Sequence, residues 1–185
     1  GGSNQGPMDL ANMFKEGLGR GTVKLIGATT VDEYERYILR DKAFVRRFER
    51  IDISEPTQEM CVQILMRTIP KIEIQTGVKF NYTDFIKENV CKFIVDMTSE
   101  YKRVYENNSR YPDVSLTLVQ QAFSNALFDN RNAVSVIDFK NAIVNSKNIY
   151  PDVIQKSMSS FNTIFSDQIA EYNMENGIYE KLDSN

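Results

Sequence analysis

The organisation of this chain is most clearly indicated by the stretch VKLIGATTVDEY, residues 23–34. Its first half, residues 23–28, is a short apolar run whose β-branched residues favour a buried strand over a helix. Thr30 and Glu33 then have the spacing of a capping box, which predicts that a helix begins at about Val31. Ligands of open α/β sheets bind where strands end. The Thr30 hydroxyl could therefore meet a phosphate there, or it could serve only as the helix cap.

The segments on either side extend this mixed pattern. Residues 8–19 carry apolar side chains at helical spacing and precede a glycine-rich turn, which predicts a helix that ends there. Residues 41–48 predict a short helix, and the sequence IDI at residues 51–53 predicts a second short strand. We therefore expect residues 1–54 to form a small α/β portion.

Pro56 marks a change to an all-helical pattern. A helix should begin at about Thr57, and Pro70 should kink or end it because proline removes a backbone donor and clashes with the preceding turn. Gly77 fits a C-terminal cap, since glycine adopts the left-handed conformation easily. Another amphipathic helix should begin at Thr83.

The C-terminal half continues with helical patterns. Pro112 occupies the position of a first helical residue in the strongest apolar helix pattern of the chain. The sequence SVID beginning at Ser135 resembles a capping box, and a last helix should cover residues 152–172. The predicted fold class is mostly α with a small α/β portion. Residues 55–150 would form a helical subdomain, and residues 151–185 a C-terminal helix or linker.

The composition argues against several classes of function. The 185 residues carry a formal net charge of -3, whereas nucleic-acid-binding domains are usually strongly basic. Histidine, the commonest general base and metal ligand, does not occur. Cys61 and Cys91 are too few for a zinc site, and both lie in apolar helical patterns. We expect them to be buried thiols in a reducing, cytoplasmic compartment. No apolar run reaches the length of about 18 residues that suggests a membrane span.

Two further features could recognise a phosphate or a nucleotide. Arg46 and Arg47 are adjacent and cannot share one helix face, so one could pair internally while the other reaches a partner. Pro112 and Asp113 stand at the head of the predicted core helix, where backbone N–H groups suit an anion or a nucleotide edge. A solvated surface and a proline-started helix explain the same residues. The chain contains neither a GxxxxGK[ST] phosphate loop nor a histidine-activated serine, so we expect no self-sufficient catalytic site.

In order and spacing, these features resemble the Clp-type AAA+ ATPases (ClpA, ClpB and ClpC chains), in particular the C-terminal part of their first nucleotide-binding module. The family patterns IGATTxDEY, DxAxxRRF and EP are matched by IGATTVDEY at residues 26–34, DKAFVRRF at 41–48 and EP at 55–56. The residues that begin at Met8 also resemble the family pattern MDAxNxLKPxLxRG. The resemblance is specific over residues 7–56 and looser beyond them, to about residue 143.

The resemblance implies a role for each candidate residue. Thr30 matches the sensor-1 residue, which helps place the water that attacks the γ-phosphate. Arg46 and Arg47 match the arginine fingers, which reach the nucleotide of a neighbouring subunit. Pro112 and Asp113 would lie near adenine and sugar. The implied nucleotide is ATP, with Mg in the intact parent module and none bound to this segment alone. The implied partners are a hexameric ring of copies, unfolded protein substrates and a peptidase, without nucleic acid or membrane.

The sequence also departs from the family. The helical lid usually reads PDKAIDL, whereas residues 112–118 read PDVSLTL and lack the lysine. In the family, the phosphate loop and the Walker B acid precede this segment. We therefore expect a piece of a longer protein that is inactive alone. We expect residues 7–54 alone either to lack their native arrangement or to be rescued by dimer or swapped contacts. Two alternatives remain: a non-catalytic helical adaptor with an AAA+ remnant, and an AAA+ clamp loader acting on DNA.

Overall fold

The computed structural model describes residue 21, residues 24–105 and residues 110–178. The helix predicted over residues 8–19 lies outside the described residues. The chain divides into two compact units, unit 1 (Gly1–Ile53) and unit 2 (Ser54–Asn185). Each unit is described by itself.

Unit 1 contains the helix predicted to begin at Val31. Helix α1 (Val31–Glu33) continues into a π-helical turn (Tyr34–Ile38), and a second short helix, α2, covers Lys42–Val45. The predicted capping box is confirmed, because the Thr30 side chain accepts the Glu33 N–H at 3.2 Å. Contacts within a few residues are therefore sufficient to start α1.

The two strands predicted in unit 1 do not appear among its described residues. Residues 24–30 and 51–53 have no regular secondary structure. Ile26 and Ile53 are 99% and 92% exposed, so their side chains are not packed as a buried strand requires. A strand is stable only when its N–H and C=O groups pair with a neighbouring strand. The described residues of unit 1 supply no such neighbour, and the predicted α/β portion is not seen.

Unit 2 is a bundle of helices, which confirms the prediction of a mostly helical fold. Thr57 and Thr83 cap their helices as expected, since each side chain accepts a backbone N–H three residues ahead. The helices are α3 (Gln58–Thr76), α4 (Asp84–Met97), α5 (Asp113–Phe128), α6 (Val136–Val144), α7 (Pro151–Ile164) and α8 (Ser166–Glu175).

Helix α3 does not end at Pro70, which excludes one of the two outcomes expected there. The helix runs on to Thr76 and ends at Gly77, whose φ of 74° gives the predicted left-handed cap. Pro70 is exposed, whereas Ile69 and Ile72 are buried in the bundle. The backbone N–H that proline lacks is missing on the solvent side of the helix, and the buried side is intact. Burial of Ile69 and Ile72 therefore holds α3 together across Pro70.

Aromatic side chains fill two parts of the core of unit 2. Phe80 stacks on Phe139 with ring centroids 4.9 Å apart. Phe161 contacts Phe93 edge-on at 5.0 Å and Phe165 at 4.7 Å. The sequence predicts a single last helix, but the structure has two, α7 and α8. The fully buried Phe165 lies between them. Its packing against the two other rings outweighs the continuation of a regular helix.

The two cysteines are buried thiols, as predicted. Cys61 lies in α3 and Cys91 in α4, and neither side chain is exposed. Burial raises the pKa of the Cys91 thiol to about 12, so the thiol is held in its neutral form.

Candidate functional site

Thr30 lies where the chain enters α1. Its oxygen accepts the Glu33 N–H. The neighbouring Thr29 donates its own hydroxyl proton to the Glu33 carboxylate at 2.8 Å. This bond, together with those from the Thr30 backbone and side chain, lowers the pKa of the Glu33 carboxyl. Both adjacent threonines are therefore bonded to Glu33.

Arg46 and Arg47 follow α2 and behave differently. Arg47 Nη1 donates to the carbonyl of Ala43, one turn earlier. The Arg46 side chain is exposed and makes no ion pair or hydrogen bond with another described residue. The sequence-based expectation that one arginine pairs internally while its neighbour points elsewhere therefore matches the local geometry.

Pro112 and Asp113 lie at the head of α5 in unit 2. Pro112 is the N-cap and Asp113 the first helical residue, one position later than predicted. Pro112 makes no side-chain capping hydrogen bond, and Asp113 is exposed. A carboxylate at a helix head would repel a phosphate but can accept a hydrogen bond from a hydroxyl or an amino group. The chemistry of this end suits a sugar or a base better than a phosphate chain.

The structure also brings together three residues that the sequence analysis did not select. Arg103 Nη1 and Nη2 donate to the two carboxylate oxygens of Glu55 at 2.6 and 3.1 Å. Glu55 Oε1 accepts the backbone N–H of Tyr111 at 2.8 Å. These residues, which we call the Glu55 cluster, lie directly before the head of α5. The bonded side chains are 48 residues apart in sequence, so no local spacing could reveal them.

The electrostatics of the Glu55 cluster follow from its partial burial. Burial alone would raise the pKa of the Glu55 carboxyl. The hydrogen bonds from Arg103 and from the Tyr111 backbone, together with the charge of Arg103, outweigh burial and lower it below its ordinary value. Burial raises the pKa of the Tyr111 phenol to about 12, and its hydroxyl donates to the Val95 carbonyl. The carboxylate is thus kept ionised and the phenol neutral.

Across residues 24–105 and 110–178, no group of three or more Cys, Asp or Glu side chains is arranged to hold a metal ion. None of the helices in the described part of the chain combines the length and the apolar character needed to cross a bilayer.

Relatives of known sequence agree with the family resemblance. ClpB of Aquifex aeolicus is 36% identical over 121 residues, which are 65% of this chain and 11% of that protein. Heat shock protein 100 of Trypanosoma brucei brucei is 32% identical over 142 residues, 75% of this chain and 15% of that protein. The chain belongs to the Clp-type AAA+ family. No protein-family model matches it.

A comparison of the fold with solved structures also matches an AAA+ chaperone. A closed-state cryoEM reconstruction of Hsp104 with ATPyS and FITC casein matches with a TM-score of 0.63 and 27% identity, covering 91% of this chain and 28% of that chain. These relatives are chaperones, which favours the AAA+ interpretation over the helical adaptor. The chain spans only 11% to 21% of the length of its ClpB relatives in Aquifex aeolicus and Mycoplasma pneumoniae.

Proposed function

We propose that this chain is part of an ATP-dependent protein-remodelling machine of the ClpB/Hsp104 type. The observation that carries the proposal is 30% to 37% identity to ClpB proteins over 65% to 86% of the chain. This similarity is supported by the motifs around Thr30 and Arg46. In this proposal, copies of the full-length protein form a hexameric ring in the cytoplasm. The ring binds unfolded proteins and hydrolyses ATP to remodel them or to pass them to a peptidase.

Phosphoryl transfer depends mainly on positioning and on neutralising charge. The hydroxyl of Thr30 would donate to the γ-phosphate or to the attacking water in the assembled ring. Arg46, which has no partner among the described residues, would extend to the nucleotide of the neighbouring subunit, with Arg47 beside it. A charge supplied by a neighbour makes hydrolysis a property of the ring.

The head of α5 would contact the rest of the nucleotide. Asp113 can accept a hydrogen bond from a ribose hydroxyl or from the adenine amino group, and the ring of Pro112 offers an apolar surface to the base. The family lysine is replaced by Val114. The lid therefore contributes no cation at that position, and the phosphates depend on other groups. The 185 residues contain no GxxxxGK[ST] loop, so we expect no hydrolysis by this chain alone.

Finger variants in the full-length ring test the catalytic roles. Replacing a finger arginine, as in Arg46→Ala, should lower kcat for ATP by about 10³-fold, because an arginine supplied in trans stabilises the charge of the transition state. Arg40→Ala removes another exposed arginine of the same unit and should leave kcat unchanged. Steady-state ATPase assays on rings of confirmed size would measure both.

A mixing experiment separates action in trans from a local effect. Adding Arg46→Ala subunits to wild-type rings should lower turnover more than in proportion to their number, because each variant also impairs a neighbour. Turnover that falls only in proportion would contradict the finger role. A full-length wild-type protein that forms no ring or does not hydrolyse ATP would contradict the proposed function itself.

A further inference from the structure

The head of α5 is held by a residue distant in sequence and not by its own cap. Pro112 makes no side-chain capping bond and, as a proline, has no N–H of its own. The nearest upstream donor, the Tyr111 N–H, is bound by the Glu55 carboxylate at 2.8 Å. The conformation of residues 111–113 is therefore tied to the position of that carboxylate.

The carboxylate is itself fixed by a buried cation. Arg103 is 3% exposed and binds both oxygens of Glu55, a fork geometry that fixes orientation as well as distance. The guanidinium carbon of Arg103 lies 5.3 Å from the centre of the Tyr111 ring. The Tyr111 hydroxyl is anchored at the Val95 carbonyl in α4. The Glu55 cluster thus links three segments: the one before α3, the one after α4 and the one before α5.

The backbone at Glu55 is also restricted. Glu55 precedes Pro56, and a residue before proline is confined to extended conformations. It lies two residues after Ile53, the last residue of unit 1. The backbone that carries the carboxylate therefore has few conformations available.

We propose that Glu55 and Arg103 are positioning residues for the nucleotide. They hold Tyr111, Pro112 and Asp113 in the conformation that contacts adenine and ribose, and so set nucleotide affinity without touching the nucleotide. This inference rests on the proposed function. It predicts that Glu55 and Arg103 affect binding of the adenine and ribose but not binding of the phosphates.

Unit 2 contains a matched control for a purely structural role. Arg131 binds both oxygens of Asp138 at 2.5 and 2.8 Å, which is again a forked pair with a buried member. This pair lies just beyond Asp129, the C-cap of α5, whereas the Glu55 cluster lies before its head. The 16 residues of α5 place the two pairs roughly 24 Å apart along the helix axis.

The test compares both pairs in the full-length protein. Glu55→Gln keeps the size of the side chain but removes its charge, and Asp138→Asn does the same at the control pair. We expect Glu55→Gln to weaken binding of a fluorescent ADP analogue about fivefold or more, a typical size for coupling between sites. Its affinity for inorganic tripolyphosphate should not change. Asp138→Asn should lower the melting temperature while leaving both affinities unchanged.

The possible outcomes distinguish failure of the positioning role from failure of the proposed function. Equal weakening of ADP binding by Glu55→Gln and Asp138→Asn would overturn the positioning role, as would equal loss of ADP and tripolyphosphate binding. If Glu55→Gln does not fold, Arg103→Lys keeps the positive charge but loses the fork, and the same criterion applies to it. A wild-type protein that binds no nucleotide would remove the proposed function and this inference together. Normal wild-type binding with an unaffected Glu55→Gln variant would remove only the inference.

Discussion

In unit 1, α1 is held by bonds within four residues, whereas the helices of unit 2 are held by side chains far apart in the chain. None of the residues between 24 and 53 whose exposure is described is buried. In unit 2, Leu65, Phe123 and Ile143 are all fully buried. The family motifs are clearest in unit 1, yet the core is in unit 2. A family motif does not have to stabilise the segment that carries it.

The two units also contain the same type of ion pair in different surroundings. Arg50 and Asp52 are 2.6 Å apart with both side chains exposed. Arg131 and Asp138 are 2.5 Å apart, and Asp138 is 5% exposed. The distances alone would rank the pairs as equal, so their surroundings must decide how much each contributes to stability.

The largest expected effect tests where the core lies. Phe123→Ala should lower the free energy of unfolding by about 3–5 kcal/mol, because it removes a fully buried ring from the Phe80 and Phe139 cluster. Ile53→Ala in unit 1 should change it by less than about 0.5 kcal/mol. Urea unfolding of the 185-residue chain, followed by far-UV circular dichroism, would measure both. A comparable loss from Ile53→Ala would show that unit 1 has a core of its own.

The second prediction concerns the ion pairs. Asp138→Asn should lower the free energy of unfolding by about 2 kcal/mol, because it removes the buried charged partner of Arg131 and leaves only the exposed Asp129. Asp52→Asn should leave the urea midpoint unchanged, because solvent already screens the exposed Arg50. Equal shifts of the midpoint in the two variants would mean that burial is not what distinguishes the pairs.

The sequence predicted those parts of the fold that depend on neighbouring residues. The caps at Thr30, Thr57 and Thr83 and the end of α3 at Gly77 are signals contained within about one helical turn, and all four are present. The strands at residues 23–28 and 51–53 require partners elsewhere, and their described residues form none.

The same distinction explains the candidate site. Thr30, Arg46 and Arg47 could be selected because they belong to contiguous motifs. The Glu55 cluster could not, because its members meet only after α3, α4 and α5 pack together. Even the EP pair at residues 55–56 indicated a domain boundary and not a contact with Arg103. The continuation of α3 past Pro70 could not be predicted for a related reason, since only the packed bundle shows that the proline faces solvent.

A third, smaller effect compares two glycines. Gly77→Ala should lower the free energy of unfolding by about 1 kcal/mol, because alanine is strained at a φ of 74° even though its Cβ would meet nothing within 4 Å. Gly27→Ala in unit 1 has the same open space and no positive φ, so it should be neutral. Thermal melts of the two variants would measure the difference. A destabilising Gly27→Ala would indicate tight packing around residue 27.

The smallest effect is a pH dependence. The folded pKa of Glu55 lies below its ordinary value of 4.5, so its contribution to stability is present above that pH and is lost as the pH falls through the folded pKa. Glu55→Gln should therefore flatten the acid limb of the urea midpoint plotted against pH. Glu33→Gln should flatten that limb less, because the bonds that lower the pKa of the Glu33 carboxyl are exposed to solvent. An acid limb that Glu55→Gln leaves intact would contradict the assignment.

The two buried thiols also provide a built-in measure of how fast unit 2 opens. Its only cysteines are Cys61 and Cys91, and both are enclosed in unit 2. A thiol reagent can modify them only as fast as the bundle opens, because a buried sulfur must first reach water and ionise. A cysteine introduced at an exposed position such as Ile26 should react at once. One labelling time course would then separate a surface rate from an opening rate, without any added probe of unfolding.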